Sequence, residues 1–226
     1  MSVRMINEQA RPITRRRHAL LLAGGQSARM GSDKAMLALG GKPLLVVLAE
    51  RLTALGFTYL IVAVGAGERE AIYDEALSGS SATARTIQAV DQFPGCGPLA
   101  GLHAGLAQAP DGYVFVIACD MPALSAGLLG RMLAEADRVE AESSSSGSGI
   151  QPDVIRVPDQ PFHALYHTRI VPQLAQSLAS GELRVMRLLN ELPTSWVELE
   201  EGEQSAFDNL NTPEAFARFA AQWTNC

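Results

Sequence analysis

The chain has little of what would staple or metallate a small fold. Its three cysteines, Cys96, Cys119 and Cys226, are an odd number without metal-ligand spacing, which excludes a disulfide framework and a structural zinc site as organising devices. Its four histidines contain no HExxH arrangement, so they point to packing or surface roles rather than to a catalytic metal. No stretch approaches the roughly 20 consecutive apolar residues of a membrane span. The apolar run after Arg15, Arg16 and Arg17 stops at Gly24, too soon for a twin-arginine signal, so the expectation is a cytoplasmic protein. Cations are also short, 18 Lys and Arg against 24 Asp and Glu for a net charge of −6. That balance disfavours nucleic acid, whose binding rests on basic side chains neutralising phosphates.

What is present is a chain of 226 residues, 47% of them hydrophobic, enough for the core of one α/β domain. Residues 1–17 are polar and without apolar periodicity, and read as a flexible leader. From there apolar runs alternate with helical patterns: HALLLA (18–23), PLLVVLAERLTALG (43–56), YLIVAVG (59–65), EREAIYDEAL (68–77), TIQAVD (86–91), PLAGLHAGLAQA (98–109), YVFVIACD (113–120) and GLLGRMLAEADRVEA (127–141). Strands that are apolar throughout and alternate with helices predict a doubly wound, mostly parallel sheet in three α/β/α layers. The serine-rich stretch 143–149 reads as a mobile loop between the halves 18–142 and 150–226 of a single domain. The second half predicts strands at 153–158 and 163–167 with a Pro-containing turn between them, helices at 169–181 and 183–192, a strand at 196–200, and a closing helix in which Thr212 caps and Pro213 opens.

The stretch LLLAGGQSARMGSDKAML (20–37) carries the first chemistry. In a parallel sheet, ligands bind beyond the carboxyl ends of the strands. Gly24 and Gly25 stand at such an end, where glycine allows a sharp turn and close approach to backbone N–H groups that can nest an anion. Arg29 and Lys34 follow as two cations suited to a polyphosphate. The same residues also suit a plain turn with solvated charges, and the stretch contains neither GxxxxGK[ST] nor GxGxxG. Asp91 and Asp120 each close an apolar run, which places two acids at the same sheet edge. Asp120 is the candidate magnesium ligand, because Mg²⁺ is satisfied by one carboxylate, water and phosphate oxygens. Its alternative is a helix cap ahead of Met121 and Pro122, and that of Asp91 is the start of a Pro- and Gly-rich turn. Gly97, Gly101 and Gly105 suit close helix packing, with Gly97 and Pro98 at a helix start open to a ligand. Cys119 reads as a small buried hydrophobe. Arg184, Arg187, Asn209 and Asn211 are the candidates for a second, phosphate-bearing substrate, with His163 nearby.

LLLAGGQSARMGSDKAMLALGGKPLL resembles the signature LAGGxxxRMGxDKxxLxxxGxPL of the molybdenum cofactor guanylyltransferase (MobA) family, within the nucleotidyltransferase superfamily. DQFPGCGPLAGLHAGL, FVIACDMP and FDNLNTPEAF resemble three further family segments in the same order. The resemblance implies a Rossmann-like nucleotidyltransferase fold and transfer of GMP from GTP to molybdopterin, with Mg²⁺ as cofactor and pyrophosphate released. It implies that Leu22, Ala23 and Gly24 hold guanine and phosphates, that Lys34 pairs with phosphates, that Asp91 contacts the nucleoside and that Asp120 holds magnesium, with Gly25 and Arg29 shaping and charging the phosphate pocket. Residues 18–142 would then be the nucleotide-binding half and 150–226 the acceptor-binding half. Protein partners implied are other molybdenum cofactor biosynthesis proteins and molybdoenzyme chaperones. The strand YLIVAVGAG departs from the pattern, with Ala63 or Val64 where many members carry an Asn that reads the nucleoside. Cytidylyl transfer, a sugar-phosphate acceptor and a non-catalytic nucleotide-binding role remain as alternatives.

Overall fold

The computed structural model describes residues 17–24, 33–65, 69–146 and 151–223. The first half runs β1 (Arg17–Leu22), a short antiparallel pair β2 (Ala38–Leu39) and β3 (Lys42–Pro43), α1 (Leu44–Ala54), β4 (Phe57–Gly65), α2 (Glu70–Ser78), β5 (Arg85–Val90), α3 (Pro98–Gln108) and β6 (Tyr113–Ala118). The second half runs α4 (Ala126–Ser146), β7 (Val154–Arg156), β8 (His163–His167), α5 (Val171–Ala179), α6 (Val185–Glu191), β9 (Thr194–Trp196) and α7 (Pro213–Trp223).

Among the described residues, seven strands form one sheet in the order β5-β4-β1-β6-β8-β7-β9. The pairs within β5-β4-β1-β6 are parallel, β8 is antiparallel to both its neighbours, and β7 and β9 are parallel. The predicted doubly wound, mostly parallel architecture is the observed one. Its cause is visible in β1. Ala19 and Leu21 pack into the core on one face, with α1, α2, α4 and α7, while Leu20 packs into the other, with α3, α5 and α6. A strand buried on both faces needs apolar side chains at successive positions, which is how the unbroken runs of β1, β4 and β6 read. The helix α3 comes unusually close to the sheet: a Cβ on Gly105 would stand 2.2 Å from Leu20 Cδ1. The glycine spacing in α3 is therefore a packing device there.

Three boundaries move from their sequence-based positions. Strand β1 begins at Arg17, which composition had put in the leader; its guanidinium is buried and pairs with Asp137 of α4 at 2.5 Å. Residues 1–16 lie outside the described residues. The expected loop at 143–149 begins later, because α4 continues to Ser146. Ser143 Oγ donates to the Val139 carbonyl at 2.9 Å, so the hydroxyl is absorbed by the helix it was expected to end; residues 147–149 lie outside the described residues. The last strand is Thr194–Trp196, not 196–200, since the register of β7 pairs Val154, Ile155 and Arg156 with those three residues.

Candidate functional site

The chain leaves β1 towards β4 and β5 on one side, then crosses back to β6 on the other. At such a reversal the connecting segments diverge and leave a crevice beyond the strand ends. Here that crevice is a cavity of about 740 Å³, with Gly24, Lys34, Asp91, Gly97, Asp120 and Asn209 among its walls.

The floor of the cavity explains the first glycine. The backbones at the ends of β1 and β4 nearly touch: a Cβ on Gly24 would lie 2.5 Å from Gly65 N and 2.7 Å from Gly65 Cα. Gly65 turns away with φ +73, a conformation that side-chain-bearing residues disfavour. The Ala23 N–H donates to the Ala63 carbonyl at 3.0 Å and the Cys119 N–H to the Leu22 carbonyl at 3.1 Å, so β1 is held from both sides up to its last residue. Gly25 and Arg29 lie outside the described residues. Gly97, with φ +67, caps α3, and Pro98 opens that helix; both face the cavity.

Lys34 begins a short 3-10 turn capped by Asp33, whose Oδ1 accepts from the Ala35 N–H at 3.0 Å. From that turn Lys34 Nζ donates to Asp120 Oδ2 at 3.2 Å and to Asn211 Oδ1 at 2.5 Å. Asp120 sits in the turn after β6 and is not the cap of α4. That role belongs to Ser125, whose Oγ accepts from the Leu128 N–H at 3.1 Å. The carboxylate is thereby left for the cavity. The segment carrying Asn209 and Asn211 is fastened to the same turn, the Leu210 N–H donating to the Asp120 carbonyl at 2.8 Å. Two residues later Thr212 Oγ1 accepts from the Ala215 N–H at 3.2 Å, capping α7 as its sequence predicts.

Asp91 follows β5, and its N–H donates to the Gly65 carbonyl at 3.1 Å. Its Oδ1 is buried against α3 with no hydrogen-bond partner, and desolvation pushes its carboxyl above the usual carboxylate value. A carboxyl raised in the folded state contributes stability at acid pH that is lost as pH rises through its folded-state pKa. Asp91→Asn is therefore expected to raise Tm by about 2 °C at pH 7, a small gain because the group is partly exposed. The gain should vanish at acid pH, where Asp91 is itself neutral. Thermal melts at both pH values check this, and an equal gain at each would place the effect elsewhere.

The donors at this edge are oxygens. Among the described residues no three His, Cys, Asp or Glu side chains converge as a metal cage. Asp120 offers the cavity a carboxylate oxygen, a donor type that suits a hard cation such as magnesium. Cys119, beside Asp120, is buried, and burial raises its thiol well above the usual range, which fits a packing residue and not a nucleophile.

The acceptor-side candidates separate. Asn209 reaches the cavity and Asn211 joins Lys34. Arg184 and Arg187 are exposed and share Glu182, at 2.8 and 2.6 Å. His163 is fully buried between the rings of Phe115 and Phe207, centroids 5.1 and 5.3 Å away, and burial lowers its pKa to about 4. His167 lies four positions along the same extended strand, about 13 Å further on, so the two do not converge. Sequence reading missed Asp33, Arg69 and Tyr73, which meet at the Asp33 carboxylate. Asp33 had a signal in the GSDK motif; the other two are brought in by the non-local packing of α2. Among the described residues no helix is long and apolar enough to cross a membrane.

A family model described as a MobA-like NTP transferase domain matches residues 19–195. The chain is 33% identical over 204 residues to a molybdenum cofactor guanylyltransferase of Vibrio cholerae, covering 89% of this chain and 90% of that protein. It is 31% identical over 201 residues to the protein of that name from Serratia proteamaculans, covering 88% and 92%. Among solved structures, molybdopterin-guanine dinucleotide biosynthesis protein A from Archaeoglobus fulgidus superposes with a TM-score of 0.68 at 21% identity, over 92% of this chain and all of that one. A 4-diphosphocytidyl-2C-methyl-D-erythritol synthase from Anaerococcus prevotii gives 0.64 at 12% identity, over 93% of this chain and 99% of that one. At those identities the two superpositions speak to the fold alone.

Proposed function

The chain belongs to the MobA-like NTP transferase family, and from that premise we propose that it transfers GMP from GTP to molybdopterin, releasing pyrophosphate and forming molybdopterin guanine dinucleotide. The names of its relatives supply the acceptor. The observation that carries the reading to this chain is the meeting of Lys34, Asp120 and Asn211 at the reversal of the sheet, in a cavity floored by Gly24.

In this reading a phosphate oxygen of the acceptor attacks the α-phosphorus of GTP in line, the bond from that phosphorus to the bridging oxygen breaks, and pyrophosphate leaves with that oxygen. No protein nucleophile is needed, so the chain's task is to position charge. Lys34 neutralises the departing pyrophosphate. Backbone at Leu22, Ala23 and Gly24 lies against the nucleotide, where the absence of a side chain on Gly24 lets it come close. Asp91, which lines the cavity, accepts from the nucleoside, and Gly97 with Pro98 offers the N-terminus of α3. Ala63 lines the cavity with a methyl group, so base discrimination falls to Asp91 and the backbone of the 94–97 turn. Asp120, with phosphate oxygens and water, would hold a magnesium ion, which screens the charge building on the phosphates. Asn211 keeps the Lys34 ammonium oriented, and Asn209 stands on the side open to the acceptor.

The test is calorimetric titration of GTP, CTP and ATP with and without Mg²⁺, followed by acceptor-dependent pyrophosphate release. A magnesium-dependent preference for GTP with acceptor-dependent turnover is expected. A preference for CTP would move the protein to cytidylyl transfer, and nucleotide binding without turnover would make it an accessory protein.

A further inference from the structure

Lys34 does not set its own position. The turn that carries it is capped by Asp33, and the second carboxylate oxygen of Asp33 does separate work. Oδ1 accepts from the Ala35 N–H at 3.0 Å, while Oδ2 accepts from the Tyr73 hydroxyl at 2.8 Å and lies 3.5 Å from Arg69 Nε. Tyr73 is fully buried in α2, and the same hydroxyl is 3.2 Å from the Ala23 carbonyl. A phenol has one proton to donate, and an ionised carboxylate is the stronger acceptor. Burial and the neighbouring Asp33 push the phenol far above its usual value, so it stays a neutral donor. The hydroxyl thus donates to Asp33 Oδ2 and anchors that carboxylate to the buried face of α2. Arg69, the first residue described after β4, shares the cavity wall with Lys34.

We infer that Asp33 is a positioning residue that sets both Lys34 and Arg69 for a polyphosphate, with Tyr73 as its buried latch and Arg69 as a further phosphate contact. This rests on the nucleotide reading above. The chemistry favours a carboxylate at this point: one oxygen is needed to cap the Lys34 turn, and the other must be anionic to hold a guanidinium and accept from a phenol at once. A serine or threonine cap would meet only the first demand.

Asp33→Asn separates the two demands. The amide oxygen can keep the cap, whereas the amide nitrogen brings a neutral donor up against Arg69, which has no acceptor to offer; the Tyr73 hydroxyl can accept from that amide only by turning its own proton to the Ala23 carbonyl. Binding of GTP is measured by calorimetry, and tripolyphosphate and guanosine are then used to displace it. In Asp33→Asn, GTP affinity is expected to fall about tenfold, the size of one lost charge-assisted interaction. Displacement by tripolyphosphate should weaken with it and displacement by guanosine should keep its wild-type constant. Tyr73→Phe, which removes one hydroxyl and leaves the ring in the core, should shift the same two constants in the same direction by about threefold. Equal weakening of guanosine and tripolyphosphate would mean general loosening and would overturn the inference, as would unchanged GTP affinity in both variants. A wild-type protein that binds no GTP would overturn the nucleotide reading and this inference together; wild-type GTP binding unaffected by either variant overturns this inference alone.

Discussion

Asp120→Ala is expected to reduce acceptor-dependent pyrophosphate release by about a thousandfold or more, the scale on which removing one preorganised electrostatic element slows transfer chemistry. The geometry gives the reason. Asp120 is the acid at the end of β6, the strand that forms one side of the sheet reversal, and its carboxylate is spent on no helix cap. It pairs with Lys34, at 3.2 Å. Removing it takes away the oxygen that would hold the cation and an anchor of the ammonium. Lys34 keeps its bond to Asn211, so the ammonium is still held in the cavity. The cost to folding should be small, because both side chains are partly exposed, at 21% and 22%, and ion pairs of that kind contribute about 1 kcal/mol or less. Pyrophosphate release and thermal melting measured on the same preparation separate the two effects. A variant that melts like the wild type and turns over like it would remove Asp120 from the metal role.

Asp120 also shows what local pattern can carry. A run of seven apolar residues ending in an acid predicts a central strand and an acid at its edge, and β6 is that strand. Asp91 after β5 and Gly24 after β1 follow the same logic, so one rule about parallel sheets brought three dispersed positions to a single cavity. The resemblance in LLLAGGQSARMGSDKAML then supplied a chemistry that spacing alone left open between a turn and a phosphate nest. What stayed hidden depends on pairs far apart in the chain. Asn211 reaches Lys34 across 177 residues and Tyr73 reaches Asp33 across 40, and neither pair leaves a periodicity to read. Arg184 and Arg187 share Glu182, close in sequence, a pairing that the helical pattern does not announce. His163 looked polar enough for a ligand, yet at the start of β8 it is packed between Phe115 and Phe207, a contact that no local pattern shows.

Gly24→Ala carries the second large effect, and a control glycine makes it specific. A methyl at position 24 would be built 2.5 Å from one backbone atom of Gly65 and 2.7 Å from another. Backbone cannot rotate aside as a flexible side chain can, so the ends of β1 and β4 must separate. The substitution should therefore destabilise by about 1–3 kcal/mol, the range for forcing volume into a packed site, with Tm falling about 2–4 °C for each kcal/mol. Nucleotide affinity should fall too, since the displaced backbone is the cavity floor. Gly130→Ala should do the reverse. That glycine is exposed in α4, a Cβ there meets nothing within 4 Å, and alanine in a helix interior is favoured over glycine by about 1 kcal/mol. Two chemically identical substitutions with opposite signs cannot both follow from loss of glycine flexibility, which would stabilise each by restricting the unfolded chain. If Gly24→Ala instead gained stability as Gly130→Ala does, the two strand ends would not be in contact, and the glycine after β1 would be a turn residue with no closer duty.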